Sequence, residues 1–183
     1  MSRIPLIEFE GVRLSNSDLR TDIRGTLLKI EPLKLLNESL GSVAISFNPL
    51  IGTIRGLHFQ IEPFAEEKIV SCIQGSIFDV IVDIRPNSKT FGKWSSFELS
   101  SENGLYAFLP KGIAHGFQSL QTNTIIHYCL TSIFSKESAI SINPLDDLGI
   151  DWPISKITIS EKDRSGMTLS MAALKYAASL GTQ

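Results

Sequence analysis

Disulfide-forming residues and long apolar runs are scarce in this sequence. Cysteine occurs twice in 183 residues, which is too few for the disulfide framework of a small secreted domain. Cys72 and Cys129 both lie inside apolar, strand-like runs, so we expect buried thiols in a reducing compartment. No basic segment followed by an apolar one marks the N-terminus, and no run reaches about eighteen apolar residues. We therefore expect a cytoplasmic protein without a membrane span.

An excess of charge of one sign is also missing. The chain has 17 Lys and Arg residues against 19 Asp and Glu residues, a formal net charge of −2. Balanced charge gives no general attraction to nucleic acid or to an anionic membrane, so any affinity for phosphate must be local. The sequence also lacks a phosphate-binding glycine loop, a dinucleotide-binding fingerprint, zinc-finger spacing and a serine-nucleophile elbow. We therefore expect neither nucleic acid nor a membrane as a partner.

Short runs of β-branched and aromatic residues fill most of the chain. Clusters of Gly, Pro, Asn and Ser separate them at intervals of about 8–12 residues, which is typical of an all-β sandwich or barrel. The length predicts one domain over residues 1–183. The predicted strands are 26–30, 42–47, 53–60, 67–74, 76–85, 92–100, 104–109, 116–120 and 124–130.

The two ends of the chain depart from this pattern. Residues 4–12 alternate apolar and polar side chains ahead of the barrel pattern, so we interpret residues 1–12 as a strand that a dimer could exchange. The polar residues 15–25 are predicted to contain a turn. At the other end, Ser160 followed by Asp163 resembles a helix cap, and an alanine-rich stretch follows. Residues 155–183 are therefore predicted to be a C-terminal segment with one or two short helices.

Two glycine-punctuated runs carry histidines, His58 in residues 52–60 and His115 in residues 104–115. This layout is the paired-histidine pattern of a cupin barrel, the mainly β double-stranded β-helix or jelly roll. A metal-binding cupin usually has a second histidine two places after the first, and then a glutamate that six intervening residues separate from a glycine. Here Gln60 and Lys68 occupy those positions. Two imidazoles and an ammonium repel a divalent cation and attract an anion or an enolate, so we expect no metal and proton transfer on an anionic substrate.

The faces of these strands leave alternatives open. Arg55 and His58 point to opposite sides of a regular strand, but Gly56 permits a bulge that re-aims one of them. His58 alone also fits a hydrogen-bonded barrel histidine, and Lys68, flanked by glutamates, also fits a solvated surface charge. We interpret both as functional because a second histidine strand and an apolar strand accompany them.

An acidic and a phenolic side chain are further candidates. The alternation over residues 76–85 points Asp79 or Asp83 inward, either to fix the tautomer of an imidazole or to pair for structural reasons. In the run 124–130, Tyr128 shares the parity of its apolar neighbours, so we expect Tyr128 to face inward and His127 outward. A structural tyrosine with a polar partner is the alternative.

These residues belong to longer motifs, of which RGLHFQ at 55–60 is the most distinctive. Together the motifs resemble the dTDP-4-dehydrorhamnose 3,5-epimerase family, in the same order over roughly residues 20–165. The resemblance implies a cupin-like β-barrel homodimer without a cofactor, acting on a dTDP-4-keto-6-deoxyhexose in deoxysugar biosynthesis. The remaining motifs are residues 68–70, 75–85, 88–94, 99–103, 110–117 and 148–153.

The resemblance also implies individual roles. His58 matches the general base of the family, and Asp163 matches the aspartate that orients it. Tyr128 matches the acid on the opposite face of the sugar, and Lys68 matches the lysine near the C4 oxygen. Asp79 matches the partner of a second inward histidine. The implied substrate-binding set is Arg24 and Arg55 for the diphosphate, with Gln60, His115, Asn48 and Lys29.

Three departures from the family pattern keep other functions open. The run 26–29 replaces an aromatic run and a glutamate, the segment 47–52 is shorter than usual, and Phe134 stands where a tyrosine is frequent. A 3- or 5-epimerase acting at one centre, a different nucleotide carrier, and a non-catalytic cupin that binds sugar nucleotides all remain compatible with the sequence.

Overall fold

The protein folds mainly into β-strands, and the computed structural model describes residues 5–146 and 148–181. Two helices, α1 (Glu161–Arg164) and α2 (Leu169–Leu180), follow the strands, and short 3-10 helices lie at Leu6–Glu8 and Pro32–Lys34. The strands are β1 (Arg13–Asn16), β2 (Asp18–Asp22), β3 (Gly25–Lys29), β4 (Ser42–Asn48), β5 (Thr53–Gln60), β6 (Lys68–Gln74), β7 (Ser76–Asp83), β8 (Trp94–Ser100), β9 (Leu105–Leu109), β10 (Ile113–Ser119), β11 (Thr124–Leu130), β12 (Ala139–Ser141) and β13 (Thr158–Ile159).

Two sheets make the body of the protein. The first sheet has the order β1-β9-β6-β11-β4, and the second sheet has the order β12-β5-β10-β7-β8, with β13 parallel to β5. All other pairs are antiparallel, and β2 and β3 form a separate hairpin. Sequence neighbours such as β5 and β6 lie in different sheets, as in a jelly roll. The predicted cupin-like fold is confirmed, and no helix in the described ranges is long and apolar enough to cross a membrane.

Apolar side chains fill the space between the two sheets and also cover the outer face of the second sheet. The apolar cluster on the outer face of the second sheet packs under α2, where Leu169 and Tyr176 contact Leu57 and Phe59 of β5. Because those two β5 residues point outward, the inner face of β5 is left for polar side chains. The core between the sheets consists of Phe9, Val70, Cys72, Ile77, Ile81, Leu99, Ala107, Leu109, Ile113, Phe117 and Ile126.

Most predicted strands are present. The bounds 53–60 and 124–130 coincide with β5 and β11, and the other predicted strands differ at their ends by a few residues. The sequence pattern missed β1, β2, β12 and β13. Every residue of β2 is exposed, so no alternation of burial marks it, and it falls in the polar stretch expected to contain a turn.

The expected N-terminal strand is wrong over the residues that the structure describes. Residues 1–4 lie outside that range, Leu6–Glu8 form a 3-10 helix, and Phe9 is 2% exposed in the core between the sheets. This segment therefore covers the barrel of its own chain, and its exchange between two copies stays a prediction. At the other end the predicted helices are present, and the Ser160 hydroxyl accepts a hydrogen bond from the Asp163 amide.

Candidate active site

A cavity of about 250 Å³ lies between the two sheets and is open to solvent. Its basic and aromatic side chains come from both sheets, because β5 and β10 belong to the second sheet and β6 and β11 to the first. Lining residues are Ala44, Ser46, Arg55, His58, Glu66, Lys68, His115, Phe117, Tyr128 and Leu130.

A β-bulge brings Arg55 and His58 to the same cavity. On β10, His115 pairs with His58 and Phe117 pairs with Arg55, so three steps along β5 oppose two along β10. Gly56 lies inside this bulge at φ +116°, and a Cβ there would sit 2.6 Å from the Gly116 Cα. Only glycine tolerates that conformation and approach. The bulge considered from the sequence is confirmed.

His58 is bound to a buried carboxylate. The His58 Nε2 lies 2.6 Å from the Asp163 Oδ1, and the Asp163 side chain is 6% exposed whereas that of His58 is 42% exposed. The Ser141 hydroxyl donates to Oδ1 of Asp163, and the Gly56 amide donates to Oδ2. One ring nitrogen of His58 is thereby fixed, which leaves the other to exchange a proton with a bound molecule or with water.

The ionisation of Asp163 follows from these contacts. Burial opposes the charged form, but the hydrogen bonds from His58, Gly56 and Ser141 and the charge of the imidazole outweigh burial. The net effect holds the pKa of Asp163 below its usual value of 3.8. Asp163 is therefore a carboxylate at neutral pH and presents its negative charge to the His58 ring.

Lys68 is buried rather than solvated. Its side chain is 9% exposed, and its Nζ donates to the His58 carbonyl oxygen at 3.2 Å and lies 3.2 Å from the Glu66 Oε1. The alternative of a surface charge is wrong, because Lys68 begins β6 on the inner face. The ammonium is thus presented to the same cavity as the His58 ring.

His115 and Asp79 form a second buried pair. The His115 Nε2 lies 2.9 Å from the Asp79 Oδ2, and both side chains are at most 5% exposed. Burial raises the pKa of Asp79, against the opposing charge and hydrogen bond of His115. The second oxygen, Oδ1, is buried without a hydrogen-bond partner among the described residues. Asp79 therefore contacts the cavity through His115, which is the inward pairing expected from the sequence.

Tyr128 faces the cavity from the first sheet, as its parity predicts. Its ring stands edge-on to His115, with ring centroids 6.2 Å apart. Burial raises the pKa of Tyr128, so the phenol keeps its proton at neutral pH and can donate it. His127 is not among the residues that line the cavity.

Two predicted substrate-binding residues hold protein groups instead. The Asn48 Oδ1 accepts from the Arg55 Nε at 2.9 Å, and Asn48 itself is 1% exposed. The Gln60 amide nitrogen is within 3.1 Å of three acceptors, and the Gln60 Oε1 accepts from the Ser135 amide. Asn48 therefore orients Arg55, and Gln60 fastens the segment after β11. Direct contact with a substrate stays a prediction for both.

Arg24 and Lys29 are not brought to the cavity within one chain. They lie on the β2–β3 hairpin, where Arg24 pairs with Asp22 at 2.6 Å and Lys29 pairs with Glu31 at 3.0 Å. Each lines a separate surface pocket. The hairpin pairs with neither of the two sheets that form the cavity, and neither residue lines it.

Sequence reasoning missed two residues of this site. Glu66 lies two positions before Lys68 and so shares its face in an extended chain, a signal that was available. Ser141 lies on β12 opposite His58, but a three-residue strand carries too little pattern to be found. In the part of the chain that the structure describes, no three His, Cys, Asp or Glu side chains are grouped as metal ligands would be.

Comparison with known proteins places this geometry in a family. A family model described as dTDP-4-dehydrorhamnose 3,5-epimerase matches residues 7–171. The chain belongs to that family. The resemblance inferred from the sequence is confirmed. Solved structures of 3,5-epimerases share the fold of this chain.

Three relatives illustrate the range of the 3,5-epimerase family. The dTDP-4-dehydrorhamnose 3,5-epimerase of Sinorhizobium fredii is 42% identical over 81% of this chain and 80% of its own length. A crystal structure from Legionella pneumophila, a dTDP-6-deoxy-D-glucose-3,5-epimerase in complex with dTDP-4-keto-L-rhamnose, has a TM-score of 0.85 and is 32% identical over 92% of this chain and 93% of that one. The dTDP-4-dehydrorhamnose 3-epimerase of Streptomyces niveus is 29% identical over 93% of this chain and 85% of its own length.

Asp163→Asn is expected to make the free energy of unfolding less dependent on pH in the acidic range. Because the folded state lowers the pKa of Asp163, its carboxylate stabilises the fold above the unfolded-state pKa, and this contribution disappears as the pH falls through the folded-state pKa. Urea unfolding followed by circular dichroism should therefore show a smaller difference between about pH 6 and about pH 3 for the variant than for the wild type.

Asp151→Asn is the matched control, because Asp151 is exposed. Its acid dependence should equal that of the wild type. If Asp163→Asn also keeps the full acid dependence, then the contacts of Asp163 do not stabilise its charged form.

Proposed function

We propose that this protein epimerises a dTDP-4-keto-6-deoxyhexose at C3 and C5 by general acid–base proton transfer, without a cofactor. The observation that carries the proposal is the placement of His58 and Tyr128 on opposite sheets around one cavity. One is an imidazole backed by a carboxylate, and the other is a phenol that stays protonated. A sugar ring held between them would meet a base on one face and an acid on the other.

The proposed chemistry needs both groups. The C4 ketone acidifies the hydrogens on C3 and C5, and His58 removes one of them. The electron pair of the broken C–H bond forms an enolate whose charge rests on the C4 oxygen, where the Lys68 ammonium stabilises it. Tyr128 returns a proton from the opposite face, which inverts the carbon, and each positioned group contributes about 10²–10⁴-fold. His58 as the sole base and acid would restore the original centre.

Charge and kinship support the nucleotide-sugar substrate. Arg55, Lys68 and His115 line the cavity, and a guanidinium matches phosphate oxygens in two-point contacts. The Sinorhizobium and Legionella relatives carry the name of this activity. We place the reaction in the cytoplasm, in keeping with two buried free thiols.

Epimerisation at a single centre is the second candidate. Phe134, 69% exposed, lines a pocket that shares His58, Glu66 and Leu130 with the main cavity. A phenyl ring offers no hydroxyl to donate a proton there. The Streptomyces niveus relative carries the name of a 3-epimerase.

We further propose a homodimer in which the β2–β3 hairpin completes the partner's site. The outer face of β4 exposes Val43, Ile45 and Phe47 at 53%, 51% and 65%, a larger apolar strip than single exposed residues account for. The hairpin pairs with neither sheet, and Ile23 is exposed at its tip with basic Arg24 beside it. A role for Arg24 and Lys29 in substrate binding requires that the hairpin reach a second copy.

Proton NMR of dTDP-4-keto-6-deoxy-D-glucose with the protein in D₂O tests the proposed reaction. We expect loss of both the C3 and the C5 proton signals, because both carbons flank the ketone. Loss of one signal would establish the single-centre reaction instead. His58→Ala should abolish the exchange, and exchange at neither centre with wild-type protein would overturn the proposal.

Mixing two inactive or weakened variants tests the hairpin's role. Co-expressed Arg24→Ala and His58→Ala chains should form mixed dimers in which one site carries both changes and the other carries neither. At subsaturating substrate the mixture should regain about a quarter of the wild-type rate, since about half the dimers hold one intact site of two. A rate equal to the mean of the two pure variants would place Arg24 in the site of its own chain.

A further inference from the structure

We propose that Glu66 is a positioning residue for Lys68 that holds the ammonium where the enolate charge develops. The inference rests on the proposed function, in which Lys68 stabilises the charge on the C4 oxygen. The Glu66 side chain is 8% exposed, and its two oxygens have different partners. Oε1 lies 3.2 Å from the Lys68 Nζ, and Oε2 accepts from the Gln60 Nε2 at 3.0 Å.

A carboxylate in this cavity requires an explanation. Among the described residues that line the cavity, Glu66 is the one acidic residue. A negative charge there weakens the attraction for a diphosphate, and burying it costs free energy unless it is paired. A benefit to the reaction has to offset both costs. The pairing with Lys68 identifies that benefit, because it is the contact that Glu66 makes to a group facing the substrate.

Lys68 needs such a partner. A lysine is a compact charge on a four-carbon stem with many rotamers, so a single contact does not fix its position. The His58 carbonyl oxygen accepts a hydrogen bond at 3.2 Å, and the Glu66 carboxylate forms an ion pair from the segment before β6. Together the two contacts restrict the ammonium and leave an N–H for the substrate.

The support extends from Glu66 to the elements that carry the base and the acid. Gln60 lies on β5 two residues after His58, and its amide also donates to the carbonyl oxygens of Phe64 and Ile133. The Gln60 Oε1 accepts from the Ser135 amide at 2.7 Å, in the segment that follows β11 and Tyr128. Contacts from Lys68 through Glu66 to Gln60 therefore connect the ammonium to β5, which carries His58, and to the segment after β11, which carries Tyr128.

Glu66→Ala should lower the proton-exchange rate at saturating substrate about tenfold or more, with little change in KM. Exchange at C3 and at C5 should fall by the same factor, because the C4 oxygen carries the charge of both enolates. If Glu66→Ala only loosened the segment after β11, exchange at C3 and exchange at C5 would not be expected to fall by the same factor.

Glu66→Gln should retain most of the wild-type rate. Its amide oxygen can accept a hydrogen bond from the Lys68 Nζ in place of the ion pair. The Gln60 Nε2 has two hydrogens and keeps the carbonyl oxygens of Phe64 and Ile133 as acceptors. Glu67→Ala is the matched control: Glu67 is also buried, but its carboxylate accepts from Asn37, so the exchange rate should be close to that of the wild type.

A double-mutant cycle with Lys68→Met decides the inference. If Glu66 acts through Lys68, Glu66→Ala should cause no further loss in the Lys68→Met background. An equal loss of rate in both backgrounds, or an unchanged rate for Glu66→Ala alone, would overturn the role of Glu66. The proposed function would not be affected as long as the wild-type protein exchanges the protons. Absence of exchange in the wild type would instead count against the proposed function itself.

Discussion

The hydrogen bond between His58 and Asp163 is the contact on which the arrangement of the site depends. It joins residues 105 positions apart, and each partner needs its own local structure. His58 reaches the cavity because β5 bulges at Gly56, and Asp163 is placed by α1, whose first turn Ser160 caps. The Gly56 amide and the Ser141 hydroxyl then donate hydrogen bonds to the Asp163 carboxylate. The short C-terminal helix is therefore part of the site and not an appendage.

The ionisable groups around this pair have pKa values shifted in opposite directions. Asp163 stays charged because three hydrogen bonds outweigh burial, whereas burial raises the pKa values of Asp79 and Tyr128. An ionised carboxylate holds the His58 ring on one side of the cavity, and a neutral phenol on the other side retains a proton to give. These opposite environments on the two sheets are what the proposed reaction requires, since a base and an acid must meet opposite faces of one ring.

Sequence periodicity predicted the fold and much of the site for a definite reason. Alternation reports which face a side chain takes, so β5, β11, the inward Tyr128 and the buried Lys68 were predictable. It does not report which elements meet. Periodicity could have placed Glu66 on the face of Lys68, but it could not show that Glu66 also meets Gln60 of β5. Arg24 and Lys29 lie on a hairpin that pairs with neither sheet, and in the alternating N-terminal run Leu6–Glu8 form a 3-10 helix ahead of the buried Phe9.

The central claim is that proton removal and proton return belong to different faces of the cavity. The most direct measurement is deuterium exchange by Tyr128→Phe in D₂O, followed by NMR of the sugar stereochemistry. The account predicts that exchange continues, since the His58 side chain is 42% exposed and can trade its proton with solvent, while inverted product no longer forms. Inverted product at the wild-type rate would contradict the account, because another group would then be the acid.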